Sequence, residues 1–139
     1  MADTDTDKVA FELVSPERLL VAEDVEMVVV PGEEGDFGVL PGHALFMSSV
    51  RSGVVEIHES GAVASRIFVA GGFAEVTPER CTVLAEEAIA LADIDKADAD
   101  ARLKEAEQAL GDARDDDDRA KGEAARDVAL ALVEALEAQ

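Results

Sequence analysis

Residues 31–44 read PGEEGDFGVLPGHA, a stretch rich in glycine and proline. Its first three glycines fall at positions 32, 35 and 38, with Pro31 before them and Pro41 after them. A phosphate-binding loop needs a helix N-terminus directly after its glycines. Here Val39-Leu40-Pro41 follows, so no helix is expected to begin. The spacing therefore predicts a tight turn and a bulge between β-strands.

Short β-rich runs lie on both sides of this stretch, at residues 9–13, 25–30, 54–59, 63–70, 73–76 and 81–85. Ser60-Gly61 closes one run, and Thr77–Arg80 predicts a turn with proline at its second position. Gly71-Gly72 predicts a hairpin, because both glycines accept positive φ. Many short strands at close spacing predict an all-β antiparallel sandwich or barrel for residues 1–92.

The composition changes near residue 92, and the last 47 residues hold 13 alanines but no aromatic residue, proline or cysteine. Asp93 or Asp95 can cap a first helix, and Gly111 is a plausible end for it. The run Asp115–Asp118 can cap a second helix, in which Gly122 should be mildly destabilising. Residues 93–139 therefore predict an αα-hairpin. Its apolar stripes are Ala99, Leu103, Ala106, Leu110 and Ala113, then Ala125, Val128, Leu132 and Ala135 or Leu136, widened by Leu130 and Val133. Alanine side chains bury little apolar area, so packing along these stripes stabilises the hairpin only weakly. We therefore expect the hairpin to be loosely held.

The charge of the chain excludes several classes of partner. With 12 basic and 32 acidic residues, the formal net charge is −20, which disfavours nucleic-acid backbones and anionic lipid surfaces. The single cysteine, Cys81, allows no intramolecular disulfide and predicts no zinc site. The polar start at residues 1–7 predicts no secretory signal, and no apolar run is long enough to insert in a membrane. A cytosolic-type compartment is expected.

Candidate catalytic side chains are few and scattered. His58 shares strand parity with Glu56, which predicts a solvated face, and His43 lies in a glycine-rich loop. Ser15, Ser48, Ser49 and Cys81 are the possible nucleophiles, and none lies beside a base or in a nucleophile elbow. Cys81 is expected to be a core residue. A small β-barrel enzyme would need a cluster of histidine and carboxylate side chains, which the sequence does not predict.

The order of motifs resembles the ε subunit of the F-type ATP synthase, called δ in mitochondria. The motifs are LVSPE at residues 13–17, the 31–44 stretch, GVV at 53–55, VAGGFAEV at 69–76, VLAEEA at 83–88 and the alanine-rich tail. The resemblance implies a β-sandwich of about ten strands followed by a helical hairpin. It also implies a non-catalytic subunit of the central rotor stalk, which couples proton-driven rotation of the c ring to ATP synthesis. The implied location is peripheral, on the cytoplasmic face of the bacterial inner membrane or its organellar equivalent.

The same resemblance implies particular contacts. The γ subunit and the c ring are the implied partners, and residues 93–139 are implied to contact the α and β subunits transiently. The residues implied to face polar, basic loops of the c ring are Glu33, Glu34, Asp36, Phe37 and His43. One edge and face of the sandwich is implied to meet γ.

Residues 93–139 depart from the regulatory pattern of the family. Some members bind ATP through a Leu/Ile-Asp-x-x-Arg-Ala motif, of which Ile94, Asp95 and Ala99 remain, with Asp98 in the place of the arginine. Asp115–Asp118 also opposes an approach of the second helix to acidic segments of the catalytic head. We therefore expect no bound cofactor, no ATP binding and at most weak inhibition of ATP hydrolysis. A nucleotide-responsive regulatory module remains the alternative hypothesis.

Overall fold

The computed structural model describes residues 8–138; the predicted polar start at residues 1–7 and the last residue lie outside this range. The chain forms two compact units, and the division falls between Ala90 and Leu91. The first unit contains strands and the second contains helices. A β-sandwich fold followed by a helical hairpin is therefore confirmed.

Within residues 8–138 there are eight strands, fewer than the ten or so expected. They are β1 (Val9–Ser15), β2 (Arg18–Val25), β3 (Met27–Gly32), β4 (Gly35–Val39), β5 (Phe46–Ser49), β6 (Gly53–Glu59), β7 (Ala62–Val76) and β8 (Arg80–Ala90). Their order in the sheet is β2-β1-β8-β7-β6-β3-β4, and β5 pairs with β7 outside this path. The edge strands β2 and β4 both supply residues to one buried cluster, Val25 and Val39 among them. Because a flat sheet would hold its two edges apart, the sheet must fold over to enclose this core.

The hairpin predicted at Gly71-Gly72 is wrong, because β7 runs through both glycines as one strand of 15 residues. Both have positive φ, +67° and +121°, so the strand bends there without ending. A Cβ on Gly72 would lie 2.0 Å from the Leu84 carbonyl oxygen, so the approach of β8 requires glycine at that position. Before the bend β7 pairs with β6, and after it β7 pairs with β5. One bent strand thus replaces two predicted short ones.

Two other features differ from the predicted sheet. β1 and β8 pair in parallel, with Phe11 opposite Cys81, so the expectation of a purely antiparallel sheet is wrong for this pair. β2 was not predicted, because most of its residues are exposed and it lacks the alternation of a strand with one buried face. The predicted turns at Ser60-Gly61 and Thr77–Arg80 are confirmed.

The helical unit begins with a 3-10 turn (Leu91–Asp93), followed by α1 (Lys96–Gly111) and α2 (Asp116–Glu137). Asp95 caps α1 by accepting a hydrogen bond from the Ala97 amide at 3.0 Å, and Asp115 caps α2 through the Asp118 amide at 2.8 Å. Gly122 lets the helices approach closely, since a Cβ there would lie 3.1 Å from the Cα of Leu110. The predicted stripe of α2 is partly wrong: Ala125 and Leu130 are exposed, whereas Gly122 and Ala129 are buried. No helix within residues 8–138 is long and apolar enough to cross a membrane.

Candidate partner-binding surfaces

The acidic turn, residues 32–36, joins β3 to β4. The pairing runs without interruption from Val28 opposite Val39 to Gly32 opposite Gly35, which leaves Glu33 and Glu34 as the loop. The predicted tight turn is confirmed, and the bulge predicted with it is wrong because the register never shifts. A Cβ on Gly32 would lie 2.8 Å from the Gly35 carbonyl oxygen, so the turn is too tight for a side chain there.

A neighbouring segment, residues 49–51, holds the acidic turn from one side. The Glu33 amide donates to the Ser49 carbonyl and the Arg51 amide donates to the Pro31 carbonyl, both at 2.9 Å. The guanidinium of Arg51 donates to the Gly32 carbonyl through Nη1 and to the Asp36 carboxylate through Nη2. The sequence reasoning missed Arg51, although it is the only lysine or arginine between Arg18 and Arg66.

The carboxylates of the acidic turn differ in their surroundings. Asp36 is paired with Arg51, so part of its charge is compensated. Glu33 and Glu34 are exposed, and their carboxylates have no hydrogen-bond or ion-pair partner among residues 8–138. The charge available to a partner is therefore concentrated on the two loop residues.

Aromatic side chains connect the acidic turn to the loop that follows β4. Phe37 packs edge-on against Phe46, with ring centroids 5.0 Å apart and an interplanar angle of 76°. The ring of His43 lies 6.3 Å from that of Phe46. His43 Nδ1 is 2.8 Å from the Ala44 carbonyl oxygen, which only accepts hydrogen bonds, so Nδ1 carries the proton. The structure thus places four of the five predicted ring-facing residues on one hairpin and connects the fifth, His43, through Phe46.

A second surface, the outer apolar row, crosses five strands of the sheet. Directly opposed residues on these strands form it: the apolar Phe73 (β7), Leu84 (β8), Val14 (β1) and Leu19 (β2), with the polar Ser49 (β5) at one end. Phe73, Leu84 and Leu19 are 40%, 53% and 54% exposed, although alternate residues of β8 such as Val83 are fully buried. This row was not predicted from the sequence. The sequence feature that could have revealed it is Leu84. This residue is apolar although it alternates with the core-facing residues of β8, which are apolar as well.

The remnant of the nucleotide motif serves the helical fold. Asp95 is the N-cap of α1, Ala99 is buried, and the amide of Ile94 donates to the Leu91 carbonyl. On α2 the cationic groups lie beside carboxylates of the same helix. Arg119 is 3.0 Å from Asp116, Lys121 is 3.2 Å from Asp117, and Arg126 is 3.7 Å from Asp127.

The remaining candidates for chemistry have structural surroundings. Burial raises the pKa of the Cys81 thiol to about 12, so the group stays protonated near neutral pH and is a poor nucleophile. Its predicted place in the core is confirmed. His58 Nε2 lies 3.1 Å from Glu56 Oε1, so these two residues share a face as predicted. That face is half-buried and not fully solvated, because the His58 side chain is 22% exposed. Residues 8–138 contain no group of His, Cys, Asp and Glu side chains that could hold a metal ion.

The comparisons with known proteins agree on one family. The model described as "ATP synthase, Delta/Epsilon chain, beta-sandwich domain" matches residues 8–91. The ATP synthase epsilon chain of Paramagnetospirillum magneticum is 57% identical over 114 residues, 82% of this chain and 86% of the relative. That of Rhodospirillum rubrum is 54% identical over 125 residues, covering 90% and 93%.

Two solved structures share the fold. A chain in the Euglena gracilis mitochondrial ATP synthase, solved with OSCP, F1 and c-ring, has a TM-score of 0.75 and 28% identity. The match covers 95% of this chain and 81% of that chain. A chain of the central stalk and c-ring of the Tetrahymena thermophila enzyme has a TM-score of 0.63 and 13% identity, over 94% and 99% of the two chains. At that identity the second match supports the fold alone.

Proposed function

Since the chain belongs to the ATP synthase delta/epsilon family, we propose that it is the central-stalk subunit that couples rotation of the c ring to ATP synthesis in the catalytic head. The observation that carries this function is the high identity to epsilon chains, which extends over 90% of the chain for the Rhodospirillum rubrum relative. The chain is a subunit of the complex and, we infer, has no catalytic centre of its own. Its buried Cys81 and its paired His58 support this inference.

We propose that the acidic turn, with Phe37 and His43, faces the c ring. The turn is short and its backbone is hydrogen-bonded to residues 49–51. The carboxylates of Glu33 and Glu34 are exposed to solvent. Individual exposed ion pairs contribute little, so several charges on a stiff turn are needed for a specific contact. The aromatic contact between Phe37 and Phe46 adds stiffness next to these charges.

We propose that the outer apolar row is the surface that binds γ. Exposed leucine and phenylalanine side chains in a continuous row are unusual on a free surface and are typical of the centre of an interface. Such a row suits a protein partner with an apolar surface. It does not suit the polar ring loops, which we assign to the acidic turn.

We propose that the helical hairpin inhibits ATP hydrolysis weakly and binds no ATP. The cations of α2 that could attract acidic segments of the head or nucleotide phosphates already lie beside aspartates. Asp98 adds negative charge in the first turn of α1. Transient contact of residues 93–139 with the α and β subunits fits this role, and the regulatory alternative is not favoured.

We place the subunit at the periphery of a membrane-associated complex, on the cytoplasmic face of the bacterial inner membrane. Binding to the c ring and γ supports this location.

The test is co-purification of the tagged full chain with γ and the c ring. The wild-type chain is expected to retain both, and failure to retain γ would overturn the proposed function. The variant Phe73→Ser/Leu84→Ser is expected to lose γ. Leu130→Ser is the matched control, because Leu130 is 42% exposed and lies on α2 instead of the sheet. Equal loss of γ by both variants would show that the row is not the docking surface.

A further inference from the structure

We propose that Arg51 is a positioning residue that fixes the acidic turn and withdraws Asp36 from the contact, so that Glu33 and Glu34 present the charge. This inference rests on the proposed contact between the acidic turn and the c ring. Arg51 itself lies beside the turn and acts through it.

Arg51 holds the turn at three points. Its amide donates to the Pro31 carbonyl at 2.9 Å, and its guanidinium bridges the Gly32 carbonyl and the Asp36 carboxylate. Gly32 lies on β3 and Asp36 on β4, so the Arg51 side chain ties together both strands that enter the loop. A planar guanidinium can direct two hydrogen bonds at once, whereas an ammonium acts as a point charge.

The turn needs such an external support. Gly35 has a φ of +141°, and a Cβ at that position would meet nothing within 4 Å. Glycine is the residue that restricts the backbone least, so a turn between two glycines gains little rigidity from its own sequence. The Arg51 side chain supplies a constraint that the loop residues themselves do not.

Arg51 also sets the charge of the turn. Glu33, Glu34 and Asp36 carry three negative charges, and Arg51 compensates the one on Asp36. Replacing both Asp36 and Arg51 by neutral amides would leave the net charge of this group unchanged but remove the support. Charge and position can therefore be separated by mutation.

The experiment uses ATP synthase assembled with the variant chain in sealed inverted membrane vesicles. The readout is the number of protons pumped per ATP hydrolysed. Arg51→Gln is expected to shift the equilibrium between coupled and slipping contacts about threefold, the scale of a lost exposed ion pair, and to lower this ratio by up to that factor. Arg51→Lys should recover part of the loss, and Asp36→Asn/Arg51→Gln should remain as low as Arg51→Gln. Arg66→Gln is the control, since Arg66 is similarly exposed and pairs with Glu56 on β6, away from the turn.

Several results would overturn the inference. A double variant that regains the wild-type ratio would show that only charge matters. An effect of Arg66→Gln as large as that of Arg51→Gln would show a general loss of surface charge, and a large drop in the unfolding free energy of Arg51→Gln would show a role in folding only. The variant Glu33→Gln/Glu34→Gln distinguishes the proposed contact with the c ring from the proposed role of Arg51. If it leaves the ratio unchanged, the ring contact itself is wrong, and if it lowers the ratio while Arg51→Gln does not, only the role of Arg51 is wrong.

Discussion

Replacing Gly72 by alanine is expected to destabilise the β unit strongly. The new Cβ would lie 2.0 Å from the Leu84 carbonyl oxygen and 2.9 Å from the Cα of Ala85, both backbone atoms of β8. The backbone must also keep a φ of +121°, which costs a residue with a side chain about 1–2 kcal/mol. Moving β8 away weakens roughly two ladder hydrogen bonds at about 1 kcal/mol each. The expected loss in the free energy of unfolding is therefore about 3–4 kcal/mol, relative to a total of about 5–15 kcal/mol for a domain.

The assay is urea-dependent labelling of Cys81 by a thiol reagent. Cys81 is the only cysteine, is fully buried and lies on β8, so its labelling reports the opening of the β unit and not of the helices. The matched control is Gly61→Ala, with a φ of +78° and nothing within 4 Å of the new Cβ. It should lose only the backbone contribution of about 1–2 kcal/mol. If the two variants lose the same stability to within about 0.5 kcal/mol, the close approach of β8 is not the reason for glycine at position 72.

Three further predictions concern the helices and the core. Amide exchange is expected to be faster across residues 93–138 than in β1, β7 and β8, and equal protection would contradict a loosely held hairpin. Deletion of residues 93–139 is expected to leave ATP hydrolysis by the assembled complex nearly unchanged, and a severalfold rise would refute weak inhibition. The folded-state pKa of Cys81, about 12 against an ordinary 9.0, means that its contribution to stability is complete below about pH 9 and is lost as the pH rises toward 12. Unfolding free energies of the wild-type chain should therefore fall more steeply with pH in that window than those of Cys81→Ala, by up to about 1.4 kcal/mol per pH unit; parallel curves would show that the thiolate is tolerated in the core.

The fold could be predicted where the signal is local. The turns at residues 33–34 and 60–61 depend on glycines and short loops, and both caps depend on an aspartate directly before a helix. The parallel pairing of β1 with β8 had no such signal, because it joins segments about 70 residues apart. The Gly71-Gly72 pair was misread because positive φ suits a bend inside a strand as well as a hairpin.

The candidate site could be predicted only in part for the same reason. The acidic residues of the turn are adjacent in sequence, so their grouping follows from the turn alone. The contact between Arg51 and Asp36 spans 15 residues and depends on residues 49–51 running beside β3. Gly122 illustrates the opposite error, since its low helix propensity hid a packing role that appears only when Leu110 is placed next to it.

Residues 49–51 connect the two proposed interfaces. Ser49 is opposite Phe73 in the outer apolar row, and its carbonyl accepts the hydrogen bond from the Glu33 amide in the acidic turn. The Val50 amide donates to the Gly72 carbonyl at 3.0 Å, at the bend of β7, and Arg51 then holds the turn. A force on the acidic turn would therefore reach the outer apolar row through three residues whose backbone is hydrogen-bonded at every step. Under the proposed contacts with the c ring and γ, this short path couples the support by Arg51 to the bend at Gly72. The bend and the support depend on each other mechanically. A rigid turn on a flexible sheet would lose the motion in the sheet, and a flexible turn on a rigid sheet would lose it in the turn.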